Sequence, residues 1–276
     1  MSLSCTILTS AWSAFKYLDQ YLFGISQLKN ISDQLDITLA FGSVSDTYDQ
    51  KAHELIRERV QEVCNGAGIK LHFYIGDKSE TFYQTVNKLI AQTIHFTENY
   101  AQINLDDMRF PLNLLEQIKS LRTNLMVYSD FICTNDVVSC YKYFSNEKPF
   151  LHESVSVKYE ETWPDVDMSN REKYYREFKW SCFTTCKASL VAKLGPFDEY
   201  YRSAGDYDFV NRALFFRIKP VKVPGLSGIF LSNGNGISTK PNSPGIHEGY
   251  RTLERYLLNK HPVAVFYGKK HLWRNL

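Results

Sequence analysis

The chain has 276 residues, 44% of them hydrophobic and 22% charged, and a formal net charge of +2. That length builds one large domain or two small ones, and the near-neutral charge argues against binding nucleic acid by bulk electrostatics. No run of about 18 apolar residues marks a membrane-spanning helix, and the six cysteines are too scattered for a disulfide framework.

The cysteines read as reduced thiols of a cytoplasmic protein. Met1-Ser2-Leu3 leads without a basic leader into Cys5-Thr6-Ile7-Leu8, which reads as a first strand and not as a signal peptide. Eighteen Tyr and eighteen Phe suggest wide apolar clefts as well as core.

In chain order, residues 4–9 read as a short buried strand. Residues 14–28 carry Phe15, Leu18, Leu22, Ile25 and Leu28 at helical spacing. A second strand, 36–41, is expected to break at Gly42-Ser43. Residues 49–64 form a helix stopped by Gly66-Ala67-Gly68, and 70–75 a third strand. A helix over 81–93 then leads to a fourth strand, which closes on Asn104-Leu105-Asp106-Asp107. This β-α-β-α-β-α-β order implies a parallel sheet with helices on both faces. Ligands of such sheets bind outside the carboxyl ends of the strands. Thr9-Ser10, Phe41-Gly42-Ser43 and Asn104-Leu105-Asp106-Asp107 all fall at such ends.

The second half reads as a helix over 111–122, a strand over 124–131, and a charged, aromatic stretch over 145–180 that is a candidate substrate-facing segment. A strand over 180–185 and a helix through Lys193 follow. Gly195-Pro196-Phe197-Asp198-Glu199 and Gly205-Asp206-Tyr207-Asp208 then precede a helix over 209–216. Residues 219–223 are a strand, 232–247 a loop and 249–258 a short helix before a basic, aromatic tail.

Two adjacent carboxylates at the end of a buried strand are costly unless something neutralises them. A divalent cation that carries a phosphate ligand does so, and a solvated turn is the other reading. Asp206 is open to two readings as well, a carboxylate for proton transfer or a plain helix N-cap.

The order of these signals resembles a family-2 glycosyltransferase with the nucleotide-diphospho-sugar transferase (GT-A) fold, over roughly residues 4–238. The strand ending Ile7-Leu8-Thr9-Ser10 sits where that family opens its nucleotide pocket. Phe41-Gly42-Ser43 falls on its Asp-Asp-Gly-Ser turn, and Asn104-Leu105-Asp106-Asp107 on its DXD motif. Gly195 to Glu199 with Gly205-Asp206 falls on its Gly-x-Phe-Asp-Glu and Glu-Asp motifs. Asn87 fits an Asn that recurs on the helix before the DXD strand. The chain departs from the family at Ala40-Phe41, where carboxylates are usual, at Asn104 and at Gly205.

The resemblance implies an α/β fold with a Rossmann-like, mostly parallel sheet flanked by helices and a smaller mixed acceptor-side region. It implies one domain: residues 4–107 binding nucleotide-sugar, 108–238 binding acceptor and carrying catalysis, and 239–276 as a C-terminal extension. It further implies an inverting, metal-dependent transferase using Mg²⁺ or Mn²⁺ and a UDP-sugar as first guess. The acceptor would be a saccharide or lipid-linked hydroxyl, in the synthesis of a cell-surface polysaccharide. Thr9, Ser10, Phe41, Gly42, Ser43, Asn87, Asn104 and Asp106 would bind the nucleotide-sugar. Asp106 and Asp107 would hold the metal, with His247 either a further ligand or an exposed loop residue, and Asp206 would be the base. Trp180, Asp198 and Glu199 would meet the acceptor, although Asp198 and Glu199 serve equally as loop-ordering residues. Trp163, Trp180 and Tyr201 are candidates for stacking on sugar, with core packing the alternative. Asp208 reads as structural. Lys240 and Arg251 face either diphosphate or solvent. The basic tail (Lys269, Lys270, His271, Arg274) would touch an anionic membrane surface, which would put a cytoplasmic enzyme at the inner face of the membrane.

Two other readings stand beside this one. A nucleotidyltransferase shares the sheet and metal but needs a Gly-rich, Arg/Lys-containing loop after the first strand, which residues 9–13 lack. A binding relative that has lost catalysis is motivated by Ala40, Asn104 and Gly205.

Overall fold

The structure, a computed structural model, describes residues 3–12, 14–135, 153–155, 183–232 and 244–257. Within them nine strands form one sheet: β1 (Leu3–Ser10), β2 (Leu35–Ser43), β3 (Lys70–Ile75), β4 (Asn99–Gln102), β5 (Met108–Arg109), β6 (Met126–Thr134), β7 (Glu153–Val155), β8 (Thr185–Lys187) and β9 (Val221–Leu231). The order across the sheet is β3-β2-β1-β4-β8-β6-β9-β5, with β7 paired to β6. The β3-β2-β1-β4 half is parallel, and β8, β7 and β5 run against their neighbours. The helices are α1 (Leu18–Ser26), α2 (Gln50–Ala67), α3 (Phe82–Thr93), α4 (Pro111–Ser120), α5 (Ala188–Leu194), α6 (Gly205–Phe215) and α7 (Pro244–Leu257).

Strand periodicity divides the core. Ile7 and Leu39 face one way and pack with Tyr21, Ile25, Val60 and Leu114 of α1, α2 and α4. Their neighbours Leu8 and Ala40 face the other way, against Val86, Ile90, Tyr207 and Val210 of α3 and α6. Successive side chains of a strand point to opposite faces, so a parallel strand covered on both sides is apolar throughout. The helix ends carry local signals. Asp49 accepts from Ala52 N at 2.9 Å to cap α2, and Gly68 ends that helix at φ +68°. Thr81 and Gln84 form a capping box on α3.

Several expectations are corrected. β2 does not break at Gly42 but continues to Ser43, with Gly42 paired to Ser10 on one side and Tyr74 on the other. A Cβ on Gly42 would lie 2.4 Å from Thr85 Cγ2, so the glycine admits α3 onto the sheet. The helix over 14–28 is shorter: α1 has 3-10 turns on both sides, at Phe15–Tyr17 and Gln27–Asn30. β9 runs eleven residues, through Pro224 and Gly225, instead of stopping at 223. Its register against β6 shifts twice around Asp130, which accommodates the proline. α6 begins at Gly205, so Asp206 lies in its first turn and Ala204 holds the N-cap position. α7 begins at Pro244, within the stretch expected to be loop. Cys5, Cys64 and Cys186 are buried thiols. Among the described residues no helix is long and apolar enough to cross a membrane.

Candidate active site

The carboxyl ends of β1, β2 and β4 lie side by side. Ala11 N donates to Gly42 O at 2.8 Å, and Ile103 N to Leu8 O at 3.1 Å. Beyond Ile103 the chain turns tightly, with Asp107 N donating to Asn104 O and Asn104 Nδ2 to Asp107 Oδ2, both at 3.1 Å. Gln20 of α1 braces the turn from beneath by donating to Asp106 O at 3.1 Å. Asp107 is buried and Asp106 half-buried. Burial, and then the charge of Asp106, push the Asp107 carboxyl well above the usual range, against Leu231 N and Asn104. Burial also raises Asp106, and the nearby Lys16 ammonium opposes it.

Three buried oxygens at these strand ends have no hydrogen-bond partner among the described residues: Ser10 Oγ, Asn104 Oδ1 and Asp107 Oδ1. Two lie in the acidic turn. Buried polar atoms without a partner cost about 1–3 kcal/mol each. The turn therefore suits a hard divalent cation, which takes carboxylate and amide oxygens. Among the described residues no three His, Cys, Asp or Glu side chains gather at one point. His247 is exposed near the start of α7 and does not join Asp106 and Asp107 in such a group. A cation held in this turn would meet Asp106, Asp107 and Asn104 on the protein side.

The other expected nucleotide residues are placed as follows. Thr9 Oγ1 bonds Tyr21 OH at 2.8 Å on the α1 side of the sheet. Phe41 is core, 5.8 Å from Tyr21 and stacked on Phe73 at 5.5 Å. Ser43 Oγ bonds His53 Nδ1 at 2.8 Å. Beside His53 the rings of Phe15 and Tyr48 stack at 4.8 Å, with Tyr48 exposed. Burial holds the His53 pKa below the usual value, so the ring is neutral at pH 7. Asn87 is turned from the nucleotide ends toward the downstream loop. Its Nδ2 donates to Phe197 O at 2.9 Å and Glu199 Oε1 at 3.0 Å, and its Oδ1 accepts from Phe197 N at 2.9 Å.

Asp206 lies in the first turn of α6. Its Oδ1 accepts from Tyr207 N at 2.9 Å and Tyr83 OH at 3.3 Å. Burial pushes its pKa from 3.8 up to about 6; these bonds oppose the rise and the Glu248 charge adds to it. Asp206 lines a cavity of about 40 Å³ together with Leu8, Gln102, Thr184, Cys186 and Phe197. That space holds a few waters. Gln102 ends β4, so the strand that leads into Asp106 and Asp107 also borders the Asp206 cavity.

Position 205 has no open space for a side chain. A Cβ on Gly205 would lie 2.6–2.8 Å from the ring carbons of Tyr83, whose hydroxyl accepts from Gly205 N at 2.9 Å and Asp206 N at 3.2 Å. Tyr83 thus caps α6, a task that the N-cap reading gave to Asp206. Asp198 Oδ1 accepts from Tyr200 N at 3.0 Å, which orders its own loop. Tyr201 is fully buried and its hydroxyl bonds Thr252, so it offers no face to a sugar. Asp208 forms a buried ion pair with Arg212 at 2.8 Å, as its structural reading requires. Arg251 stacks on Tyr200, its guanidinium 4.4 Å from the ring centre. Trp163, Trp180, Lys240, most of the stretch 145–180 and the basic tail lie outside the described residues. Sequence reasoning missed Tyr83, Glu248, Gln20 and His53. Only the capping box beside Tyr83 was a local signal for any of them.

No protein-family model matches the chain, and no curated protein matches it by sequence. Solved structures do. S. aureus TarS 1–349 in complex with UDP-GlcNAc superposes with a TM-score of 0.61 at 14% identity, over 91% of this chain and 64% of that one. A second structure of TarS 1–349 gives 0.55 at 13% identity, over 94% and 72%. The mannosyltransferase PcManGT from Pyrobaculum calidifontis, in complex with GDP-Man and Mn²⁺, gives 0.53 at 13% identity, over 84% and 58%. The chain thus spans about three fifths to three quarters of the length of these neighbours and has their fold, the GT-A fold of nucleotide-diphospho-sugar transferases.

Proposed function

We propose that the chain is a glycosyltransferase that moves a sugar from a nucleotide-diphospho-sugar to an acceptor hydroxyl with inversion at the anomeric carbon. One observation carries the reading: β4 leads at its carboxyl end into an acidic turn with two orphaned oxygens, and its last residue borders the cavity that Asp206 lines. A cation-and-diphosphate end and a proton-accepting end therefore flank one strand terminus.

In this reading Asp106, Asp107 and Asn104 would hold Mg²⁺ or Mn²⁺, which would supply electrostatic stabilisation to the diphosphate leaving group. Ser10 Oγ and the strand ends of β1 and β2 border the donor, with Ser43–His53 and the Phe15–Tyr48 pair at its nucleoside end. Asp206, ionised above about pH 6, takes the proton of the acceptor hydroxyl as that oxygen attacks the anomeric carbon. A new carbon–oxygen bond forms as the bond to the diphosphate oxygen breaks, and the electron pair leaves with the nucleotide. A single displacement of this kind inverts the centre. Glu199, held by Asn87, and Asp198 face the acceptor side. The neighbours' complexes with UDP-GlcNAc and GDP-Man support a nucleotide-sugar donor. The fit of Gly205 to Tyr83 weighs against reading that position as a decayed catalytic pair. The basic tail remains the part of the proposal that would bring the enzyme to an anionic membrane carrying a lipid-linked acceptor.

The test is calorimetry with UDP, GDP and dTDP, with and without Mn²⁺, followed by hydrolysis of the matching sugar donor. One nucleotide is expected to bind in a Mn²⁺-dependent way, and Asp106→Ala is expected to abolish both binding and hydrolysis. No binding of any of the three removes the reading.

A further inference from the structure

The backbone that leads into Asp206 is held by an unusual set of acceptors. The N–H groups of five consecutive residues, 202 to 206, are all taken by side chains from outside the segment. Glu248 of α7 accepts from Arg202, Ser203 and Ala204, each at 2.9 Å, and Tyr83 of α3 accepts from Gly205 and Asp206. Converging N–H groups of this kind make a concave anion site. Here the anion is a carboxylate of the same chain.

The contact extends along one face of α7. Positions 248, 251 and 252 are separated by three and four residues and so share a face. The Arg251 guanidinium bonds the hydroxyl of Tyr200 and lies over its ring. The Thr252 hydroxyl bridges Tyr201 OH and Glu248 O, each at 2.9 Å. Residues 200 to 204 are therefore bound in sequence by Arg251, Thr252 and Glu248. Glu248 is buried with both oxygens engaged. No capping side chain sits at Ala204, so without Glu248 the turn before α6 loses its fixed acceptor.

We propose that Glu248 is a positioning residue for Asp206, and that α7 thereby belongs to the catalytic unit. The inference rests on the reading of Asp206 as the base. Glu248 does not touch the reacting atoms; it fixes the three residues before α6 and with them the direction from which the Asp206 carboxylate meets the acceptor. The donor side, at the ends of β1, β2 and β4, does not depend on it.

The experiment uses the full chain and compares wild type, Glu248→Ala, Glu248→Gln and Asp206→Asn. Turnover is measured with a sugar donor of whichever nucleotide the wild type binds, UDP-GlcNAc and GDP-mannose first, and amide hydrogen exchange is followed across residues 198–210. Glu248→Ala is expected to lower kcat about 10- to 100-fold, the scale of a misplaced catalytic group, with donor KM within about twofold. Amides 202–204 are expected to exchange at least about tenfold faster while those of β1 and β2 keep their protection. Added formate, a carboxylate that refits the vacated site, is expected to restore part of the rate. Glu248→Gln changes one atom and leaves one good acceptor for three donors, so it shows the same effects in smaller measure if the alanine variant does not fold. A kcat within about twofold of wild type, or unchanged exchange at 202–204, overturns the inference. Should Asp206→Asn keep full turnover, the base reading fails instead. If wild type turns over no sugar donor of any nucleotide it binds, the function proposed above fails, and exchange alone then decides whether Glu248 fixes the loop.

Discussion

Asp206→Asn is expected to change activity and stability in opposite directions. Burial raises the Asp206 pKa from 3.8 to about 6, a rise of about two pK units, or about 3 kcal/mol at about 1.4 kcal/mol per unit. The folded chain therefore binds this proton more tightly than the unfolded chain does. Its contribution to stability is most favourable below about pH 4, falls as pH rises toward 6, and levels off above that. Asparagine has the same shape and keeps an oxygen for Tyr207 N, but never bears the charge. The variant is thus expected to match wild type in urea unfolding near pH 4 and to exceed it by about 2–3 kcal/mol near pH 8. Transfer is expected to fall about 10²- to 10⁴-fold, the usual contribution of a general base. The wild-type kcat/KM is expected to rise through about pH 6 and then flatten. A stability difference that is the same at both pH values refutes the claim that Asp206 is charged in a water-poor site. Full transfer by the variant refutes its role as base.

Three further outcomes follow from the same contacts. Gly205→Ala places a Cβ 2.6 Å from the Tyr83 ring and is expected to destabilise by about 1–3 kcal/mol in urea unfolding; adding Tyr83→Ala should recover part of that loss, and additive losses would disprove the steric account. Asp107→Asn replaces a carboxyl whose charged form is disfavoured by burial and by the Asp106 charge and is expected to raise stability in EDTA while abolishing the increase in Tm that Mn²⁺ gives the wild type; a variant still stabilised by Mn²⁺ would remove Asp107 from the cation site. Gly228→Ala sets a Cβ 2.2 Å from Met108 O, where β5 pairs with β9, and is expected to cost about 2 kcal/mol or more, with faster exchange confined to those strands.

The parallel half of the sheet was legible because its signals are local. Each parallel strand is a short apolar run, and β3 spans the 70–75 expected of it. The acidic turn was also visible, since carboxylates after an apolar strand contradict their surroundings. What stayed hidden depends on pairs distant in sequence. β5 is two residues long and exists because β9 comes back beside it. β9 crosses a proline because Pro224 falls where the register with β6 shifts. Gly205 looked like a lost glutamate, and only the Tyr83 ring, 122 residues upstream, turns it into a packing requirement. Glu248 carries no local signal in the sequence, yet it links α7 to the backbone just before Asp206. A motif search compares positions along one strand of text, so it registers Gly205 as a departure. In three dimensions the glycine, the tyrosine and the glutamate form one arrangement: Tyr83 closes over position 205 and takes the N–H groups of 205 and 206, and Glu248 of α7 takes those of the three residues before them.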